Sequence, residues 1–168
     1  MTHEPDPIGW NVLRTRSRQE KVVEKCLEQK QITVYLPKMV QTRQWKTRRA
    51  EVELPLFPGY VFVKPKQEQV YTLNFIPGTC GLVMQRNKPG LVYERELTAI
   101  RMLLSTETPV DVHPGLMPGM RVKVMVGPLA GVEGVLISWR NQHRLAINAE
   151  ILGQAVSVEI SRSQVYCL

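Results

Sequence analysis

Cysteine is scarce and scattered: Cys26, Cys80 and Cys167 are three in 168 residues. An odd, widely spaced set gives no disulfide framework and no CxxC pair, and the histidines His3, His113 and His143 stand apart from one another. A zinc site is therefore not expected, and neither is any other metal or cofactor. Long apolar runs are also lacking, so no segment approaches the ~20 residues a membrane span needs. The opening MTHEPDPIGW has no basic segment followed by an apolar one, and does not read as a signal peptide. The expectation is a reduced, cytoplasmic, monomeric protein that does not engage a membrane.

What is present is an ordinary globular composition, 43% hydrophobic and 22% charged, with a net charge of +7. That charge is uneven. Between Trp10 and Ala50, eleven Lys or Arg stand against three Glu. The bland account of such a run is a solvated face; the alternative is a footprint for nucleic-acid phosphates.

A strand at 10–13 leads into a helix at 17–31, with Ser17 and Glu20 in capping-box spacing and Val22, Val23, Cys26 and Leu27 on one side. Residues 32–44 are strand formers, 45–50 a basic hairpin tip, and 52–63 the returning strand. That strand contains LPLFPGYVFV, where Pro58 is out of place in a buried ladder. A short helix at 67–75, a turn at 76–79, a strand at 80–85, a loop at 86–90 and a helix at 94–104 complete an α+β pattern with a mainly antiparallel sheet. Residues 105–118 hold Pro109, Pro114 and Pro118 with acidic Glu107 and Asp111, and read as a linker. Beyond 119 the pattern is wholly β. Val122, Val124 and Val126 alternate, glycines punctuate, and about five short strands suit a small barrel, although 144–152 also fits a helix.

Two signatures resemble the NusG family of transcription elongation factors. The first is Trp10-x-Val-Leu, then Leu56-Phe-Pro-Gly-Tyr-Val-Phe-Val63 and Pro77-Gly-Thr-x-Gly-Leu-Val83. The second is Pro118-Gly-x-x-Val-x-Val followed by Gly127-Pro-Leu-Ala-Gly-Val-Glu-Gly134, similar to a KOW motif. The resemblance implies a tail at 1–9, a NusG N-terminal-like domain at 10–104, a linker at 105–118 and an SH3-like KOW barrel at 119–168. It implies binding rather than catalysis. Phe57, Pro58, Tyr60 and Phe62 would meet the β′ clamp helices of bacterial RNA polymerase. Arg14, Arg16, Arg18 and Lys21 would lie near the upstream fork and the non-template DNA strand. Pro128, Leu129 and Val132 would meet a further partner such as the ribosome or Rho.

Relatives of the RfaH type carry an aromatic residue where this chain has Arg14. Leu129-Ala in the KOW loop, the short tail and the total length look more like specialised antiterminators of the RfaH and UpxY types, which act on operons such as those for polysaccharide synthesis. A general elongation factor is the alternative. So is a ribosome-associated or RNA-binding KOW protein that grips RNA without polymerase contact. An enzyme with Cys80 as nucleophile lacks a base and an orienting partner, and a buried small hydrophobe is the better account of that thiol.

Overall fold

The computed structural model describes residues 9–168, so the expected tail lies, save Gly9, outside the described residues. The chain forms two compact units that divide between Val92 and Tyr93.

The first unit carries β1 (Gly9–Thr15), α1 (Glu20–Gln29), β2 (Thr33–Tyr35), β3 (Lys38–Trp45), β4 (Arg48–Pro55), β5 (Tyr60–Lys64), a 3-10 helix (Gln67–Phe75), β6 (Thr79–Leu82), β7 (Met84–Gln85), β8 (Lys88–Pro89) and β9 (Val92–Tyr93). The main sheet runs β2-β5-β1-β6, with β9 also on β1. Its resolved pairs β1–β5, β1–β6 and β2–β5 are antiparallel. Leu13, Val61 and Val63 pack with Val23 and Leu27 of α1 and with Ile32, Leu36, Leu73 and Ile76, all buried. Burial of these side chains supplies the main stabilisation of the unit, at about 1.5–3 kcal/mol for each large one.

The sequence pattern for α1 holds only in its middle. The helix starts at Glu20 with Gln19 as an N-cap that makes no side-chain cap bond, so the expected Ser17–Glu20 capping box does not form. Val22 is exposed while Val23 and Leu27 are buried. The two expected long strands are each broken by proline. Pro37 separates β2 from β3, and Pro58 separates β4 from β5. As a result β3 and β4 form a hairpin sheet of their own, whereas β5 sits inside the main sheet.

The second unit carries α2 (Glu94–Ser105), β10 (Val110–His113), β11 (Met120–Val124), β12 (Glu133–Trp139), β13 (Gln142–Ala149), a 3-10 turn (Glu150–Leu152), β14 (Gln154–Glu159), a second 3-10 turn (Arg162–Gln164) and β15 (Val165–Cys167). Six strands in the order β10-β14-β13-β12-β11-β15 pair antiparallel throughout. Val122, Val124, Leu136, Leu145, Ala146, Val156 and Val158 are buried in it, but Val126 lies past the end of β11 and is exposed. Residues 144–152 resolve as strand followed by a 3-10 turn, not helix.

The linker expectation is corrected over 110–113. These residues form β10, a strand paired with β14 from Val110 opposite Val158 to His113 opposite Ala155. Met117 is fixed as well, its N–H donating to Asn148 Oδ1 at 2.9 Å while Asn148 Nδ2 donates to the Met117 carbonyl at 3.1 Å.

Candidate functional site

Two Pro-Gly turns define one end of the first unit's sheet. In the first, Tyr60 N–H donates to the Phe57 carbonyl at 3.2 Å across Pro58 and Gly59, and Gly59 has φ +88°. In the second, Thr79 N–H donates to the Ile76 carbonyl at 3.3 Å across Pro77 and Gly78, with Gly78 at φ +87°. Proline presets the first central residue of a type II turn and glycine alone takes the positive φ of the next without strain. The out-of-place Pro58 is thus a turn residue between two sheets, not a strand residue.

Both turns hang on the same strand terminus. The Gly59 carbonyl accepts from Thr15 N–H and the Gly78 carbonyl from Arg16 N–H, each at 2.8 Å. A third tie comes from α1, where the buried Glu20 carboxylate accepts from Gly59 N–H at 2.7 Å. The chain then reverses through Arg16–Gln19, closed by Gln19 N–H on the Arg16 carbonyl at 3.1 Å, with Arg18 in the left-handed region at φ +61°. Glu20 was expected as a cap. Its actual partner is 39 residues away, a separation no local motif reveals.

The apolar candidates divide. Phe57 and Phe62 are 1% and 0% exposed, so the expectation that they offer direct contact surface is corrected for this structure. They form an aromatic cluster: the Phe57 and Phe62 rings meet edge-to-face at 6.2 Å, and Tyr35 stacks on Phe62 at 6.4 Å. The physical reason is strand alternation plus size, since Phe62 pairs opposite Val12 and both turn into the same apolar layer. Pro58 is exposed and Tyr60 half-buried. Tyr60 lies opposite Arg14 in the β1–β5 register and shares its face.

Arg14, Arg16, Arg18 and Lys21 are all exposed. The three arginines form no ion pair among the described residues. Lys21 differs, because its Nζ donates to the Glu53 carbonyl at 3.0 Å and lies 3.6 Å from the Glu53 carboxylate. The structure therefore gathers Arg14, Arg16, Arg18, Pro58 and Tyr60 around one end of β1 and commits Lys21 to the base of the β3–β4 hairpin.

In the second unit, Pro128 is exposed but Leu129 and Val132 are buried, which corrects their assignment as contact residues. The loop folds back on itself, with Ala130 N–H on the Gly127 carbonyl at 3.1 Å and Gly131 N–H on the Val124 carbonyl at 2.8 Å, and this turns both apolar side chains inward. Elsewhere in the unit, Arg144 binds Asp111 at 2.6 Å and donates to Ser157 Oγ at 2.8 Å, while His113 Nε2 meets the same hydroxyl at 2.7 Å. Burial, aided by the Arg144 cation and opposed by Asp111, lowers the His113 pKa from 6.5. A cleft of about 660 Å³ between α2 and the sheet is lined by Glu96 and Glu150 among others. There burial, with the Glu150 charge, raises the Glu96 pKa from 4.5 against the pull of Arg95.

Cys80 is exposed, not the buried hydrophobe expected. Among the described residues there is no group of three or more His, Cys, Asp or Glu placed to hold a metal, and no helix long and apolar enough to cross a membrane.

Comparison with known proteins agrees with the motifs. The family described as "Transcription termination factor nusG" matches residues 9–101. The transcription termination/antitermination protein NusG of Helicobacter pylori is 24% identical, covering 94% of this chain and 97% of its own. The protein of the same name from Lactococcus lactis is 28% identical, covering 94% and 91%. Among solved structures, Thermotoga maritima NusG is 27% identical with a TM-score of 0.47, covering 94% of this chain and 95% of that one. With more than half its length matched, the chain belongs to the NusG family of transcription termination factors.

Proposed function

We propose that the chain binds bacterial RNA polymerase through the Pro-Gly corner of its first unit and sustains processive elongation as an antiterminator of particular operons, polysaccharide-synthesis operons being the first to test. One observation carries the reading: two type II turns and an arginine turn are all tied to the end of β1, so an apolar edge and three cations without an ion pair among the described residues form one surface. Pro58 and Tyr60 would meet the β′ clamp helices, with Phe57 and Phe62 beneath them as rigid support. Arg14, Arg16 and Arg18 would follow the non-template strand near the upstream fork, with Lys21 bracing the neighbouring hairpin. Pro128 would be the exposed point of the KOW loop offered to the ribosome or Rho.

The mechanism needs no catalytic group. A factor that binds the elongating polymerase more tightly than the paused one shifts that equilibrium by its differential affinity. The protein acts on this reading as a cytoplasmic monomer.

The test is capture of RNA polymerase by the full chain, comparing wild type with a Pro58→Ala, Tyr60→Ala double variant whose fold is checked by circular dichroism. Capture lost in the variant supports the reading. Absence of capture by the folded wild type overturns it. Readthrough of a terminator on a polysaccharide-operon template, against an unrelated template, tests the operon preference.

A further inference from the structure

β3 and β4 are two eight-residue strands that pair only with each other among the described residues, and every side chain from Val40 to Arg49 is exposed. Directly opposed residues of an antiparallel pair share a face, and alternate residues change face. Trp45 is opposite Arg48, Arg43 opposite Ala50, Gln41 opposite Val52 and Met39 opposite Leu54, so these eight residues share one face. The other face takes Val40 with Glu53, Thr42 with Glu51, and Gln44 with Arg49.

That alternation sorts the charge. Both hairpin carboxylates, Glu51 and Glu53, are on the second face, where Glu53 is within 3.6 Å of Lys21 and 3.9 Å of Lys38. The first face has Arg43 and Arg48 and no carboxylate. Trp45 is 49% exposed there, and the Arg48 guanidinium lies 5.4 Å from its ring centroid. Arg43, Lys46, Arg48 and Arg49 form no ion pair among the described residues.

An indole with a cation over one side, left open to solvent beside further cations, has the composition of a stacking platform for nucleobases. Every base presents a π-face, and the flanking cations answer the phosphates. A base paired in a duplex has no free face to offer. We propose that this face of the β3–β4 hairpin binds single-stranded nucleic acid, with an unpaired base stacked on Trp45 and the adjoining phosphates held by Arg43, Lys46 and Arg48. The site is distinct from the arginine turn after β1 and does not depend on the polymerase reading.

The experiment is fluorescence anisotropy of the full chain with labelled oligothymidylate and oligouridylate of about 12 nucleotides, within the span of one small binding face, over a series of salt concentrations. Trp45→Ala is expected to weaken binding by about 5- to 100-fold, with Trp45→Phe retaining most of it. Arg43→Gln should lower the salt slope by about one. Glu51→Gln, on the opposite face, should leave the base preference and the Trp45 effect intact. The tighter of the two oligonucleotides tells DNA from RNA.

Because residues 40–49 are exposed and β3 and β4 pair only with each other among the described residues, an unchanged circular dichroism spectrum is expected for Trp45→Ala, and the Phe and Arg43 variants give a second reading. Affinity of Trp45→Ala within about twofold of wild type on both oligonucleotides would overturn the proposal, being far below the effect of one stacked base. So would absence of wild-type binding, or displacement of the oligonucleotide by polyglutamate at matched charge. Retained polymerase capture by Trp45→Ala would separate this site from the Pro-Gly corner.

Discussion

The Glu20 carboxylate, at the start of α1, holds the Gly59 amide in the turn between β4 and β5 at 2.7 Å. This one contact fastens the helix to the turn that presents Pro58. Glu20→Ala leaves a partly buried N–H without its charged acceptor and is expected to cost about 1–3 kcal/mol. Glu20→Gln, which keeps a carbonyl oxygen, should lose less. Urea unfolding midpoints at constant m-value measure both, and on the proposed polymerase reading capture should fall with Glu20→Ala at temperatures where the protein stays folded.

The two turn glycines predict a graded pair. A Cβ at Gly59 would meet nothing within 4 Å, so Gly59→Ala carries only the conformational penalty of φ +88°, about 1–2 kcal/mol. At Gly78 the same penalty is joined by contacts of 3.1 Å to Gln19 Cβ and 3.3 Å to Val23 Cγ2, so Gly78→Ala should be the more destabilising. Equal losses in thermal unfolding would contradict this ordering.

These turns also show what can be read from sequence. Pro-Gly is a local signal with a local mechanism, and 76–79 reads as a turn on that signal, whereas the same pair at Pro58-Gly59 reads as part of one long strand, 52–63, because strand formers flank it on both sides. β10 was not legible, because Val110 and Val112 alternate inside a Pro-flanked run and their partners lie on β14, more than forty residues on. Two hairpin turns were missed for another reason. Arg86-Asn87 and Arg140-Asn141 both take positive φ at each residue, the geometry of a type I′ turn, without the glycine that usually announces it. The candidate site was legible in its residue types. Burial divided it, since alternation places Phe62 and Tyr60 on one face but does not say which of them is covered.

His113 makes stability depend on pH. Its unfolded form takes up a proton near 6.5, while burial and Arg144 lower the folded value and Asp111 opposes them. Stability contributed by the neutral ring is therefore present above pH 6.5 and lost as pH falls through the lower folded value. The melting temperature of wild type should drop over that window, and His113→Asn should flatten the drop. An unchanged profile in the variant would remove His113 as the source.

Glu96 works in the opposite sense. Its folded pKa is raised above 4.5, so the stability it lends is present below 4.5 and lost as pH rises through the folded value. At neutral pH its charge faces burial and Glu150, relieved in part by Arg95. Glu96→Gln should raise the melting temperature at neutral pH, with a gain that shrinks under acid. A gain that is the same at both pH values would point to packing instead of charge.

Arg18 holds a left-handed backbone that asparagine or glycine adopts more easily, at a conformational expense of about 1 kcal/mol. A directed-evolution screen scored only on heat resistance will therefore tend to recover Arg18→Gly or Arg18→Asn. Such winners would melt later and carry one cation fewer at the arginine turn. Selection on stability and selection on charge pull this residue in opposite directions, and a screen must score both to keep it.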